Sequence, residues 1–389
     1  MTSILQVVFG VAAAGLAYVY AGYPLLVWIV SRLAPRPVTR ADFEPRVTVL
    51  ITAYNEEQAI ADKIRNTLAI DYPPEKLEIL VASDGSTDRT EEIAATFPGV
   101  IVFRQEGRRG KTFTQNRAVE RASGDVILFS DATTEYQPNV LRELLPNFAD
   151  QTVGCVAGKL TYVDDSRSNV GKGAKSYWNY ETFLKKAESR ACSLIGASGC
   201  LYAVRKSAYR EMYPEACSDF LICTVIYEQG MRSVYEPNAV CFEETNRRTD
   251  KEMKMRVRVI SQTLTDLWRN RSMLNPFRSG FYAIELISHK LLRYAVPLLL
   301  IVIFAASAAL MGGSQFFEIV FLSQVAFYFV AALGLLIERA GARIGIFAIP
   351  HYFVLANVAS VIGFYKFVRG ERYATWEPIR DKNKEAESV

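Results

Sequence analysis

Three aspartates stand where an apolar run gives way to a turn or a helix start, and these positions suit carboxylate chemistry. Asp84 follows the apolar run 77–83 and opens Asp84-Gly85-Ser86-Thr87-Asp88. A carboxylate there can accept a hydrogen bond from a nucleobase N–H, while the same pattern also builds a plain turn with Asp88 capping the next helix. Asp131 ends Val126-Ile127-Leu128-Phe129-Ser130-Asp131. At such a strand end it can hold Mg²⁺ or Mn²⁺ against a diphosphate, because hard cations take oxygen ligands and keep several waters; a cap or loop role is its plainer use. Asp219, in Cys217-Ser218-Asp219-Phe220, is either a helix N-cap or a general base for an alcohol.

Histidine is the usual proton carrier, yet this chain has only His289 and His351, both at or inside its apolar C-terminal part. A Ser-His-Asp or Cys-His device is therefore excluded from the polar middle, as is a histidine-rich zinc site. Any base or metal ligand there must be an oxygen. Two basic groups complete the inventory. Arg104, Arg108, Arg109 and Lys111 precede a helix start, where backbone N–H groups and cations can meet phosphate. Arg247, Arg248, Lys251, Lys254, Arg256 and Arg258 put six bases into twelve residues, suited to a lipid surface or to a diphosphate clamp. Gly107-Arg108-Arg109-Gly110-Lys111-Thr112 imitates a P-loop, but position 105, where the motif needs its first glycine, is Gln. No G-x-G-x-x-G follows any strand, so ATPase and dehydrogenase readings fall away.

The elements that must position these residues follow an alternating pattern. Strands are expected at 46–53, 77–83, 100–105 and 125–131, separated by helices at 56–69, 88–96 and near 112–122, with another helix near 138–148. Such alternation predicts a mostly parallel, Rossmann-like α/β sheet covered on both faces, with ligands at the carboxyl ends of its strands. Beyond 150 the pattern loosens. It reads as a strand at 153–163, a long helix at 169–190, a glycine-broken turn and strand at 192–204, a helix from Asp219 to Gln229, a strand pair around 232–242 and a basic helix near 250–270.

Both ends of the 389-residue chain are membrane-like. Residues 1–31 carry no charged side chain, and charge-free runs recur at 294–317, 319–337 and 344–365. Each reaches or approaches the ~20 apolar residues that cross ~30 Å of hydrocarbon. Residues 1–31 exceed a signal-peptide core and lack a preceding basic region, so they read as an uncleaved anchor. The arginines flanking the spans (Arg32, Arg36, Arg40, Arg278, Arg293) place the middle domain in the cytoplasm, beneath a plasma or inner membrane. The expected division is an anchor and linker at 1–45, the soluble domain at 46–272, an interfacial amphipathic helix at 273–290, two or three membrane helices at 291–368, and a cytoplasmic tail at 369–389. Three spans after the domain would put that tail outside; Lys366, Arg369, Arg372 and Arg380 argue instead that the last run, broken by Pro350, is re-entrant or interfacial. All six cysteines fall in the middle domain without zinc spacing and read as reduced thiols. A net charge of +4 gives no sign of a nucleic-acid partner.

Taken in order, these segments resemble membrane-bound inverting enzymes of glycosyltransferase family 2, which have the GT-A fold. The likeness rests on Thr52-Ala53-Tyr54-Asn55-Glu56-Glu57, Ser83-Asp84-Gly85-Ser86-Thr87-Asp88, Gly110-Lys111 with Asn116, Phe129-Ser130-Asp131-Ala132, Gly196-Ala197-Ser198-Gly199 and Ser218-Asp219. It covers about 46–270 and extends to the flanking spans. The resemblance implies that Ala53, Tyr54 and Glu56 border a uridine, that Asp84 contacts the uracil, and that Lys111 lies near the nucleotide. It implies Mg²⁺ or Mn²⁺ at Asp131, Asp219 as base, and Gly196, Ala197, Ser198 and Gly199 along the acceptor. Arg256 and Arg258 lie where the family carries Q-x-x-R-W.

Three departures stand out. The D-x-D motif reads Asp131-Ala132-Thr133, position 218 is Ser rather than an acid, and the Q-x-x-R-W tryptophan is missing, with Trp376 a substitute only if the tail folds back. The expected activity is transfer of a sugar from a nucleotide sugar, a UDP-sugar, to a lipid-linked or membrane-proximal glycan. The alternatives are a processive polysaccharide synthase, for which self-association of the chain would enlarge an export channel, and a catalytically silent nucleotide-sugar sensor or scaffold.

Overall fold

The computed structural model describes residues 2–163, 169–244, 249–339 and 347–375. The chain begins with α1 (Thr2–Ala17) and α2 (Tyr23–Leu33), joined into one rod by a π-helical turn at Tyr18–Gly22. The alternating region then delivers β1 (Val47–Ala53), α3 (Ile60–Leu68), β2 (Leu77–Ser83), α4 (Thr90–Ala95), β3 (Val100–Arg104), α5 (Lys111–Arg121) and β4 (Val126–Asp131). Next come β5 (Glu135–Tyr136), α6 (Val140–Leu144), β6 (Val153–Val163), α7 (Asn169–Ala191), β7 (Tyr202–Arg205), α8 (Ser218–Glu228), β8 (Arg232–Glu244) and α9 (Thr249–Arg269). The chain ends in α10 (Pro276–Ser279), α11 (Phe281–Leu286), α12 (Arg293–Ala309), α13 (Gln315–Arg339) and α14 (Ala348–Val368).

The sheet order is β3-β2-β1-β4-β7-β6-β8-β5. Its first four strands are parallel, and β7 joins β4 antiparallel. Every residue of β1 is buried, as expected of a strand covered on both faces. Alternation sorts that burial: Val47, Val49 and Ile51 join one apolar layer, while Leu50 joins the other with Leu80, Ile127 and Phe129. The ring of Phe129 stacks on Tyr202 at 4.7 Å, fastening β4 to β7 through the second layer. The parallel half was legible from the sequence. The expected strand pair near 232–242 is instead one long strand, β8, which absorbs its irregularity as register shifts against β6.

Among the described residues, four helical stretches are long and apolar enough to span a membrane: Thr2–Leu33, Phe281–Ala309, Gln315–Glu338 and Ala348–Val368. The interfacial helix expected at 273–290 does not stand apart, since α11 runs through a π-helical turn at Ile287–Leu292 straight into α12. Of the polar residues in 273–290, Asn275 and Arg278 are exposed, while Ser279, Glu285, Ser288 and His289 are buried against protein. His289 Nδ1 lies 2.6 Å from Glu188 of α7, its Nε2 3.1 Å from Glu181, and Tyr23 donates to the same Glu188 oxygen.

The last helix packs against α9. A 21-residue helix is about 32 Å long, yet α14 meets α9 along that whole length. Tyr352 touches Arg256, Ala359 packs among Val257, Ile260 and Leu264, and a Cβ on Gly363 would sit 2.8 Å from Ile260. Beyond it, the tail returns to the catalytic half: Gln262 of α9 donates to the Tyr373 carbonyl at 2.8 Å. Trp376 lies outside the described residues.

Candidate active site

The carboxyl ends of the parallel strands carry the site. After β1 the chain turns through Asn55, whose positive φ of 53° suits asparagine's tolerance of the left-handed region. This turn is laced to the turn after β2. Ala53 O accepts from Asp84 N at 2.9 Å, Asn55 Oδ1 from Thr87 N at 2.7 Å, and the Glu56 N–H donates to Thr90 Oγ1 at 2.7 Å. Ala53 and Glu56 are buried here, and the Arg108 guanidinium lies 3.9 Å from the centre of the Tyr54 ring.

Asp84 is fully buried and heavily engaged. Its Oδ1 accepts from Arg109 N (2.8 Å), Gly110 N (2.9 Å) and Thr114 Oγ1 (2.8 Å), and Oδ2 also accepts from Gly110 N (2.9 Å). The carboxylate therefore pins the loop 107–110 and the first turn of α5, where free N–H groups favour an anion. That pinning aims Lys111 inward, and its ammonium pairs with Asp131 at the end of β4. Burial pulls the ammonium toward its neutral form, but Asp131 and then Asp219 more than offset this and hold its pKa above the ordinary value.

Gly199 explains how these groups meet. A Cβ there would lie 3.3 Å from Lys111 Nζ and 3.4 Å from Asp219 Oδ2, so the bare glycine lets the ammonium approach both carboxylates. Asp219 sits in the first turn of α8, with Oδ1 engaged by its own helix start (Phe220 N, 3.1 Å) and by Cys217 Sγ (3.1 Å), while Oδ2 faces Gly199. The Ala197 N–H donates to the Asp219 carbonyl at 2.9 Å, tying the segment Gly196-Ala197-Ser198-Gly199 to that helix. Asp131, Lys111, Gly199 and Asp219 thus share one cleft.

Helix α9 closes the cleft with one face. Arg258, Gln262 and Asp266 recur every fourth residue and share a stripe. Arg258 is held in the fields of Cys217, Asp131 and Asp219; burial disfavours its charge, and its Nε is buried without a hydrogen-bond partner. A buried guanidinium whose Nε has no hydrogen-bond partner among the described residues can receive an anion such as a diphosphate. Arg256, expected beside it, faces the other way: two residues along a helix turn a side chain by about 200°. It donates to Glu252 at 2.8 Å and to Tyr352 of α14, and so braces α9 against the last helix rather than the nucleotide.

Several participants escaped the sequence reading. Asp266 is fully buried and accepts from Cys217 N at 3.1 Å and from Tyr213 Oη, supporting the turn that presents Asp219. Burial pushes its carboxyl up to about 8. The four-residue spacing from Arg258 was the signal that could have exposed it. Lys185 of α7 donates to Ser198 Oγ at 2.7 Å, and Glu243 of β8 feels the charge of Asp131. The tail is the least foreseeable participant, because a Cβ on Gly110 would lie only 1.9 Å from the Ala374 carbonyl oxygen.

For a divalent ion the donors are all oxygen. Among the described residues no group of three or more His, Cys, Asp or Glu side chains could hold a metal. Asp131 is partly exposed to the cleft. That set fits Mg²⁺ or Mn²⁺ held by one or two carboxylates together with substrate phosphates and water, not a closed protein cage.

Comparison with known proteins agrees with this geometry. Residues 48–213 match the model of the family "Glycosyl transferase family 2". The chain is 27% identical over 249 residues to poly-beta-1,6-N-acetyl-D-glucosamine synthase of Staphylococcus aureus, covering 61% of this chain and 56% of that protein. The Staphylococcus epidermidis enzyme of the same name is 24% identical over 234 residues, covering 58% and 52%. This chain thus spans about half the length of these curated relatives. Among solved structures, the mannosyltransferase PcManGT of Pyrobaculum calidifontis, in complex with GDP-Man and Mn²⁺, superposes with a TM-score of 0.71 at 24% identity, covering 94% of this chain and 99% of that one. Residues 48–213 thus match glycosyltransferase family 2, in a domain with a GT-A-like fold that lies between helices long and apolar enough to span a membrane.

Proposed function

We propose that this protein is a membrane-bound inverting glycosyltransferase that moves a sugar from a UDP-sugar to a lipid-linked or membrane-proximal glycan acceptor on the cytoplasmic side. The observation that carries this reading is the approach of Asp219 Oδ2 and the Lys111–Asp131 pair at Gly199, with Arg258 in the field of both aspartates. One carboxylate is free for proton transfer, while cations surround the place where a diphosphate would accumulate charge.

In this mechanism Asp219 accepts the proton of the acceptor hydroxyl as its oxygen attacks the anomeric carbon, and the bond to the diphosphate breaks on the opposite face. Arg258 and Lys111 stabilise the negative charge growing on that leaving group, an electrostatic task suited to a cleft closed to bulk water. Mg²⁺ or Mn²⁺ held by Asp131 would neutralise the same diphosphate when bound. Tyr54 borders the base and ribose side, while buried Ala53 and Glu56 shape it from beneath; Asp84, expected to contact the uracil, is instead buried with both oxygens spent on pinning the loop 107–110. The segment from Gly196 to Gly199 orients the acceptor, held by Lys185 and the start of α8.

The test is Asp219→Asn in the full-length membrane protein. It should retain UDP binding while sugar transfer falls by ~10²–10⁴-fold, the range for loss of a general base; turnover near wild type would refute the assignment. A processive synthase is the second reading, motivated by the polymer named in the Staphylococcus relatives. Product length separates the two, since a ladder of long chains supports the synthase and a single added sugar supports simple transfer.

A further inference from the structure

The shortened motif Asp131-Ala132-Thr133 leaves the cleft with one carboxylate at the end of β4. Three residues separate Asp131 from Glu135, and the Thr134 N–H donates to the Asp131 carbonyl at 3.4 Å, so β5 begins beside the end of β4. There β5 pairs antiparallel with β8, Glu135 opposite Phe242 and Tyr136 opposite Cys241. Carrying that register one step further sets Thr134 against Glu243, and directly opposed residues lie about 5 Å apart. Glu243 also shares a strand face with Cys241, whose Sγ lies 3.6 Å from Cys200 Sγ, next to Gly199. Two independent lines thus bring Glu243 to the cleft wall beside residues 131–134.

Electrostatics agree with that placement. Glu243 lies within electrostatic reach of Asp131 and of Lys111. Asp131 and Glu243 thus lie near one another and near Lys111, which is already paired with Asp131. The unpartnered Nε of Arg258 marks the same cleft as a receptor for an anion. A diphosphate arriving there would bring oxygen ligands and would favour a divalent cation between itself and the two acids.

We propose that Glu243, reaching in from β8, is the second protein carboxylate of a nucleotide-dependent Mg²⁺ or Mn²⁺ site, taking the place of the acid that Thr133 lacks. The proposal rests on the donor-site reading above. It makes the metal site a joint product of β4 and β8 rather than of one tripeptide. Because only two side chains contribute, the ion binds with the nucleotide and weakly without it.

The test uses the purified full-length protein and Mn²⁺, following loss of the free-ion electron paramagnetic resonance signal with and without UDP, and with GDP in parallel. Wild type should bind Mn²⁺ in a nucleotide-dependent way, and Glu243→Gln should weaken this by ~10-fold or more, at least the loss known for groups that merely support a metal ligand. Thr133→Asp in the Glu243→Gln background should restore binding, which a folding defect at position 243 would not allow. If Glu243→Gln binds Mn²⁺ like wild type while Asp131→Asn does not, the role of Glu243 is overturned and the donor site stands. If wild type takes up no Mn²⁺ with either nucleotide, the metal at Asp131 falls too.

Discussion

Replacing Gly110 with alanine addresses both the backbone of the nucleotide loop and the docking of the tail. Gly110 has φ 100° and ψ 160°, a region open almost only to glycine, where another residue costs about 1–3 kcal/mol. It cannot relax freely, because its N–H is held by both oxygens of Asp84. The new Cβ would fall 1.9 Å from the Ala374 oxygen, whereas carbon and carbonyl oxygen settle at about 3.3 Å. The tail must therefore retreat by about 1.4 Å. Such a shift breaks the 2.8 Å bond from Gln262 to Tyr373, a further loss of about 1 kcal/mol.

Gly107→Ala is the natural control, since Gly107 has φ 67° but nothing within 4 Å of an added Cβ. Both variants should lower the thermal midpoint, but only Gly110→Ala should free the tail. With cysteine at Thr375 as reporter and a mass-resolved maleimide reaction as readout, Gly110→Ala should speed labelling by ~10-fold, matching about 1.4 kcal/mol of lost docking. Equal labelling rates in the two variants would show that the tail does not rest on Gly110.

Two further variants probe helix α9. Arg258→Gln removes a buried cation that lacks a partner for its Nε. UDP affinity should fall by ~10–100-fold, from about 1.5–3 kcal/mol of charged hydrogen bonding, while the thermal midpoint stays level or rises; a matching fall in both would mean a structural role. Asp266 holds its proton up to about pH 8 when folded but only to ~3.9 when unfolded. Between those values the folded state retains a proton that the unfolded state has lost, so stability declines as pH rises, by at most about 1.4 kcal/mol per unit. Melting curves from pH 6 to 8 should therefore slope downward less in Asp266→Asn than in wild type, and parallel slopes would refute this.

Much of the catalytic half was legible because local pattern and burial coincide there. The runs closed by Ser83 and Asp131 are strands of a parallel sheet, so the residues after them gather at one edge whatever their distance along the chain. Asp219 was legible as a helix start with a carboxylate, and it does lie in the first turn of α8. Arg256 illustrates the opposite case. Its basic neighbourhood suggested a phosphate contact, but a helix shows only one face to a cleft, and the face bearing Arg256 was taken by Tyr352 of a helix almost a hundred residues away.

By itself, then, the sequence determined the alternating α/β sheet, the lack of histidine between the apolar ends, those ends themselves, and the placing of Asp84, Asp131 and Asp219 at strand ends or a helix start. These are consequences of local periodicity and side-chain type, which act over a few residues. Only the tertiary structure decided that Asp84 is consumed in pinning a loop, that Asp266 and Glu243 adjoin the cleft, that α14 lies along α9 and that the tail rests on Gly110. Each of these depends on which surface finds a partner across a long stretch of chain, and that choice is made by packing and by the need to satisfy buried polar groups, not by neighbours in sequence.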